Sequence, residues 1–425
     1  MTHAPEGAHY DALETRAADA REHALMRALP QQLAHARAHA PAFARSLAAI
    51  DPQHITSRSA LAQLPVLRKH ELLAAQHHAD APDVFGGFSA VGWGAARAPG
   101  ARALRVFVSP GPIHEPDTAA PDHWRMARAL YAAGFRAGDL AHNSFSYHFT
   151  PAGAMMESGA FAIGCTVFPA GTGQTEQQVQ AMAALRPSCY VGTPSFLKIV
   201  LDKADELGVA LPWLTKASVG GEAFPPGLRD WLQARGVAAY QSYGTADLGL
   251  IAYETPAREG LVLDEGVIVE IVRPGTGDVV AEGEVGEVVV TTLNPAYPLI
   301  RFGTVDLSAV LPGAARPGAR TPASRAGRGA PTRPPRCPAC SCNRSNAQWP
   351  CVASCLRGFR DVGQNSVAHH PITDPTDPER HLHEKNSVGH GGLHCRCIGL
   401  RRIPRRCSDD HCAVRGRWPD RQGRA

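Results

Sequence analysis

The feature that most constrains this chain is a series of short apolar runs that begins near Ala103. Each run is closed by a Gly- or Pro-bearing turn and followed by a helical stretch. Val106-Phe107-Val108 ends in Ser109-Pro110-Gly111-Pro112, and Trp124 to Phe135 predicts an amphipathic helix stopped by Gly134 and Gly138. Cys165-Thr166-Val167-Phe168 reads as a buried strand and Glu176 to Leu185 as a helix. Tyr190-Val191 is the next strand, followed by Gly192-Thr193-Pro194-Ser195 and a helix from Phe196 to Leu207. Lys216 to Val219 repeats the unit, with a Gly220-Gly221 turn and a helix starting near Pro225. Strands separated by helices pair in parallel, so the series predicts an α/β fold: a mostly parallel sheet flanked by helices.

Two other textures flank this series. Residues 10–78 are rich in Ala and Leu at helical spacing, as in Leu25, Leu29 and Leu33, with breaks near Pro41 and at Leu64-Pro65-Val66-Leu67-Arg68-Lys69. From Leu261 to Leu293 the pattern becomes that of a β-hairpin turning at Pro274-Gly275-Thr276-Gly277-Asp278, a β-rich subdomain.

Charge and cysteine divide the 425 residues at a different place. Residues 314–425 hold 19 Arg and one Lys against eight Asp and Glu, and nine of the chain's 11 Cys. Residues before 314 are mildly acidic, with Cys165 and Cys189 alone, as suits a protein of a reducing cytosol. The N-terminus lacks the basic, apolar, small-residue succession of a signal peptide, and no apolar run approaches a membrane span. A cytoplasmic location is expected, with neither nucleic acid nor membrane as partner.

In open α/β sheets, ligands sit where strands end and helices begin. Three such ends carry unusual residues: Gly220-Gly221-Glu222-Ala223-Phe224-Pro225, Gln241-Ser242-Tyr243-Gly244-Thr245-Ala246-Asp247, and Tyr297-Pro298-Leu299-Ile300-Arg301-Phe302-Gly303-Thr304-Val305-Asp306. Two glycines let a backbone approach a flat ligand, and a helix N-terminus follows them. Each motif alone fits an ordinary strand-end turn with a satisfied acid. Together and in this order they resemble the acyl-adenylate-forming superfamily. Gly171-Thr172-Gly173-Gln174-Thr175-Glu176 and Gly283-Glu284-Val285-Gly286-Glu287 are similar to phenylacetate–CoA ligases in particular. The resemblance covers roughly residues 10–312. It divides the chain into 1–95, the N-terminal helical part of the catalytic domain, 96–312, the AMP-binding α/β and β-rich part, and 313–425, foreign to the fold.

The resemblance implies an ATP-dependent acid–CoA ligase that forms an acyl-adenylate, with Mg²⁺ on the phosphates and CoA as second substrate. Carried over by position, Tyr243 and Gly244 cover the adenine, Thr245 contacts the α-phosphate, and Asp306 binds the ribose. Gly220, Gly221 and Glu222 line the adenine or acyl side, and Asp247 serves Mg²⁺ and catalysis. Tyr147, Phe149 and Thr150, around His148, resemble the segment that shapes the acid pocket. Aromatic walls suit a small aromatic or other apolar carboxylic acid, although core packing explains them as well. The resemblance also points to a homodimer. Three departures stand out. Asp247 replaces the family's Glu and is one methylene shorter, and Val305 replaces the usual Gly. At Ser109-Pro110-Gly111-Pro112, relatives carry a Ser/Thr/Gly-rich loop with a Lys, whose N–H groups cradle the β- and γ-phosphates. Two prolines remove two of those donors, so the grip on pyrophosphate is expected to be weaker.

The segment from Ala314 onward admits three readings. Cys337-Pro338-Ala339-Cys340 with His381, His383, His390 and His394 suggests zinc, but Cys395-Arg396-Cys397 is too tight for a usual knuckle. Its charge suggests a nucleic-acid arm. Translation in the wrong frame explains more. Ala330 to Arg336 written as GCG CCG ACC AGA CCA CCA AGG, and read one base earlier, spells Arg-Ala-Asp-Gln-Thr-Thr-Lys. That is the heart of the Gly-Arg-x-Asp-Gln-x-x-Lys hinge of phenylacetate–CoA ligases. On this reading the segment does not fold, because it buries too little apolar surface to offset its ordering entropy. The family's small C-terminal domain, which rotates about that hinge to supply a lysine and a CoA-binding surface, is then missing. An inactive adenylate- or acid-binding remnant is the alternative to an active ligase.

Overall fold

A computed structural model describes residues 7, 9–93 and 102–311. The tail's cysteine, histidine and reading-frame features lie outside the described residues.

The chain opens with helices α1 (Ala18–His39), α2 (Pro41–Ser46) and α3 (Arg58–Leu61), then a two-residue strand β1 (Leu67–Arg68) and helix α4 (Lys69–Gln76). Strands β2 (Arg105–Ser109) and β3 (Ile113–Asp117) pair as a hairpin. The expected alternation follows: α5 (Ala127–Ala132), β4 (Leu140–Asn143), α6 (Ala152–Ile163), β5 (Thr166–Pro169), α7 (Thr175–Leu185) and β6 (Cys189–Gly192). It continues with α8 (Pro194–Glu206), β7 (Lys216–Val219), α9 (Pro226–Ala234) and β8 (Ala238–Thr245). Five strands close the described chain: β9 (Gly249–Glu254), β10 (Leu261–Leu263), β11 (Val267–Val272), β12 (Gly286–Thr292) and β13 (Phe302–Ser308).

The fold is α/β as expected. A seven-stranded sheet has the order β10-β9-β8-β7-β6-β4-β5, with β5, β4, β6, β7 and β8 all parallel and β9 and β10 added antiparallel at one edge. Alternate side chains of one strand feed the cores on its two faces. In β6, Cys189 and Val191 join the core of Met126, Leu130, Phe135, Met155 and Ile163, while Tyr190 joins that of Val179, Met182, Leu197, Val200 and Val219. Helices therefore cover both faces.

Two elements differ from expectation. The helix predicted over Trp124 to Phe135 is confined to α5 and is buried along most of its length instead of amphipathic. Gly159 of α6 explains its depth: a Cβ there would lie 2.8 Å from the Ala127 nitrogen. The one charge on α5, Arg128, is neutralised by Asp11 and by Glu14 at 3.2 Å. The strand expected to be buried at Cys165 to Phe168 is β5, the sheet's terminal strand, and its ends Thr166 and Pro169 are exposed.

The four-stranded sheet has the order β1-β13-β12-β11, with β1 parallel to β13 and the rest antiparallel. It is covered by the N-terminal helices: Leu25, Leu29 and Leu33 of α1 share a core with Ile268, Val290 and Phe302. The turn at Pro274 to Asp278 closes where expected, with the Gly277 N–H on the Arg273 carbonyl at 3.1 Å. No described helix is long and apolar enough to cross a membrane.

Candidate functional site

The parallel strands deliver their carboxyl ends to one edge, and the singled-out residues gather there. After β7, Gly220 packs on β8 so closely that a Cβ would meet the Ser242 carbonyl oxygen at 2.9 Å. Gly221 has φ +77°, and its α-carbon faces Phe145 after β4 and Thr193 after β6. A side chain at either glycine would fill the crevice or force the strands apart. Glu222 holds the next loop by accepting a 2.7 Å hydrogen bond from the Ser195 N–H at the start of α8.

The second and third motifs meet across the two sheets. The Tyr243 hydroxyl, at the end of β8, donates to the Asp306 carboxylate of β13 at 2.7 Å and lies 3.3 Å from the Thr304 hydroxyl. Burial, reinforced by the Asp306 charge, pushes the Tyr243 phenol well above its usual range. Thr304 donates to the Val288 carbonyl at 3.0 Å and receives the Asp306 N–H at 3.2 Å, which fixes the acid's backbone. Between Thr304 and Asp306, Val305 has φ +70° and is 62% exposed. That conformation is natural for a glycine and strained for a β-branched residue.

Gly244 lies at a bulge between β8 and β9, where a Cβ would meet the Gly249 carbonyl oxygen at 2.6 Å. The Thr245 hydroxyl oxygen accepts from the Leu248 N–H at 3.1 Å, so its proton stays available. Asp247 follows on that turn, its carboxylate fully buried. One oxygen lies 3.4 Å from the Lys69 ammonium, and the other has no hydrogen-bond partner among the described residues. Burial raises the Asp247 pKa while Lys69 lowers it.

The aromatic segment after β4 is divided in its orientation. The Tyr147 hydroxyl receives the Asn143 amide at 2.8 Å and donates to Glu157 at 3.0 Å, which turns the ring onto α6 against Gly153. Phe149 is 78% exposed at φ +61°. Its carbonyl accepts the Val108 N–H at 2.8 Å, tying this loop to β2. The Thr150 N–H bonds the His148 carbonyl at 2.7 Å.

Sequence reasoning missed two residues here, Lys69 and Glu115. Lys69, at the start of α4, was absorbed into a helix break, and nothing local pointed from it to Asp247. Ser109 and Glu115 are joined across the β2–β3 hairpin: the Ser109 N–H donates to Glu115 at 3.3 Å and its hydroxyl donates to the other carboxylate oxygen. Glu115 is 1% exposed, and burial, helped by the Asp247 charge, raises its pKa to about 8. Its two-residue spacing from Ile113, which places both on one strand face, was the available signal.

A double glycine, a tyrosine and an acid gathered at the carboxyl ends of parallel strands define an α/β protein of the kind that binds its ligands at that edge. The model of the family described as AMP-binding enzyme matches residues 123–296, which contain the first two motifs. The chain is 34% identical to a phenylacetate-coenzyme A ligase of Aromatoleum evansii over 234 residues, 51% of this chain and 53% of that one. It is 30% identical to a phenylacetate-coenzyme A ligase of Pseudomonas putida over 336 residues, 75% of this chain and 73% of the relative. The chain belongs to the phenylacetate–CoA ligase family. It spans about half the length of the first relative and about three quarters of the second. Among solved structures, 2-hydroxyisobutyryl-CoA ligase, in an open conformation with 2-HIB-AMP and CoA, shares the fold. The TM-score is 0.65 at 22% identity, over 75% of this chain and 71% of that one.

Proposed function

We propose that the chain carries the AMP-forming acid–CoA ligase reaction of its family, acting on a small aromatic carboxylic acid. In the first step a carboxylate oxygen attacks the α-phosphorus of ATP. The bond to the bridging oxygen breaks, and pyrophosphate leaves. In the second, the CoA thiol, giving up its proton, attacks the acyl carbon, the carbon–oxygen bond breaks, and AMP leaves. Oriented binding supplies much of the acceleration of the first step.

The observation that carries this reading is the 2.7 Å hydrogen bond from Tyr243 to Asp306, two residues far apart in sequence at a seam beside the Gly220–Gly221 turn. Tyr243 would cover the adenine with Gly220, Gly221 and Gly244, and Asp306 would accept hydrogen bonds from the ribose hydroxyls. Thr245 would donate its free proton to the α-phosphate. Glu222 would hold the loop at the site's rim. Tyr147, Phe149 and Thr150 would shape the acid end, with Phe149 free to fold over an apolar ring. The substrate class follows from the relatives' names and from these aromatics.

Mg²⁺ would arrive with the nucleotide. No group of three or more His, Cys, Asp or Glu among the described residues could hold a metal by itself. One buried carboxylate with an unpartnered oxygen, that of Asp247, suits an ion that keeps several waters and takes phosphate oxygens as ligands. When bound, the ion would neutralise phosphate charge. Assembly as a homodimer and a location in the cytoplasm are part of the same proposal.

The test is isothermal titration of the full chain with an acyl-sulfamoyl adenosine of phenylacetate, beside an assay of AMP and phenylacetyl-CoA formation. Binding that weakens at least tenfold in Asp306→Asn, at unchanged melting temperature, is the expected result; no binding by the folded chain would sink the reading. Binding without thioester formation would identify the remnant described above. Sequencing the gene across residues 305–345 then decides whether the family's hinge is encoded in another frame.

A further inference from the structure

The resemblance places the family's phosphate loop at the turn of the β2–β3 hairpin, where both donors of Ser109 are already engaged. Ser109 pairs with Ile113, leaving a turn of Pro110, Gly111 and Pro112, of which Gly111 alone carries an N–H. The two donors of Ser109, its N–H and its hydroxyl, both go to the carboxyl group of Glu115, two residues into the returning strand. Ser109 and Glu115 are both buried, at 5% and 1% exposure. The Lys69 ammonium near this end is likewise turned to a carboxylate, that of Asp247 at 3.4 Å. A loop that cradles phosphate must leave such donors free for the ligand's oxygens.

We infer that Glu115 is an internal occupant of the phosphate loop and sets the nucleotide preference of the site, which holds an adenosine monophosphate ester at least as well as a triphosphate. A β- or γ-phosphate entering this hairpin must first part Ser109 from Glu115. It would then leave a buried carboxyl without partners, a cost that cancels the new contact. The α-phosphate would be served by Thr245 at the end of β8, whose proton is not engaged by Glu115, and meets no such obstacle. The site thus favours AMP or an acyl-adenylate over capture of ATP. This rests on the nucleotide reading of the site.

The test is calorimetric titration of the full chain with AMP, ADP and ATP at one ionic strength and one Mg²⁺ concentration. Affinity that stays level or falls along the series is expected, because each added phosphate finds its donors taken. In Glu115→Ala, which frees Ser109, ATP affinity should rise about tenfold relative to AMP, with AMP binding itself serving as the measure of a folded site. Wild-type ATP binding ten times tighter than AMP overturns the inference while leaving the nucleotide site intact, and needs no variant. An unchanged ATP-to-AMP ratio in a Glu115→Ala protein that still binds AMP overturns it also. A folded wild-type chain that binds none of the three removes the nucleotide reading and this inference together.

Discussion

The two sheets of this molecule build their halves of the site by different physics. The seven-stranded sheet is local in sequence: β4 to β7 are each followed by their own helix, β8 turns straight into β9, and the site residues sit at or beside these strand ends. Its contribution is shape, made by glycines where any Cβ would collide. The four-stranded sheet joins residues 67–68 to 302–303 and draws its cover from α1. Its contribution is charge: Asp306 on β13 and Lys69 just after β1. Shape can be written in a short motif, whereas a charge borrowed from elsewhere in the chain cannot.

The sharpest way to break this comparison is to attack the joint that holds the non-local sheet. Arg301 has φ +45° and is 2% exposed, with its guanidinium on Glu270 at 2.9 Å, on the Gly277 carbonyl at 3.0 Å and on the Ala62 and Leu64 carbonyls. It stitches β11, the loop before β1 and the hairpin turn to β13. Arg301→Ala leaves the buried Glu270 carboxyl without its guanidinium and three carbonyls without their donor, a loss of about 3–5 kcal/mol. Urea unfolding should show that loss, and nucleotide binding should fall with it. A change below about 1 kcal/mol, the value of an exposed ion pair, would mean that the sheet does not depend on this joint.

A second, smaller effect probes the local sheet. Gly220→Ala puts a methyl group 2.9 Å from the backbone oxygen of Ser242, which no rotamer change relieves. Separating the β7 and β8 ends should destabilise the fold by about 1–3 kcal/mol. More tellingly, it should weaken AMP binding, while Gly227→Ala, within α9 and with nothing within 4 Å of its new methyl, should leave binding unchanged and cost no stability. Equal binding by both variants would deny the local sheet its shaping role.

The same contrast explains what was legible beforehand. The parallel sheet, its helices and the Gly220, Tyr243 and Asp306 motifs were readable because period, turn residues and order all lie along the chain. That they belong to one site was implied by resemblance and not by spacing, and the 2.7 Å contact between Tyr243 and Asp306 was not foreseen. Lys69 and Glu115 were missed for opposite reasons. Lys69 acts on a residue that follows it by 178 positions. Glu115 takes donors that a motif reader assigns to the ligand. The length of α5 was misjudged because apolar residues continue past both ends, while left-handed backbone at Arg125 (φ +63°) precedes the helix and at Gly134 (φ +92°) follows it.

The smallest prediction tests the non-local sheet from within the site and runs in the stabilising direction. Val305 stands at φ +70° between two residues that hold one another in place, Thr304 through the Val288 carbonyl and Asp306 through the Thr304 hydroxyl. The surroundings therefore over-determine its backbone, and the side chain, 62% exposed, gains little from burial that would compensate. Val305→Gly removes roughly 1–2 kcal/mol of left-handed strain and gives back part of it as lost unfolded-state restriction, for a net gain of about 1 kcal/mol. Thermal melting should rise accordingly, with AMP affinity unchanged or improved because Asp306 keeps both of its anchors. A loss of stability would show that β13 owes its conformation to Val305 itself and not to the hydrogen bonds on either side of it.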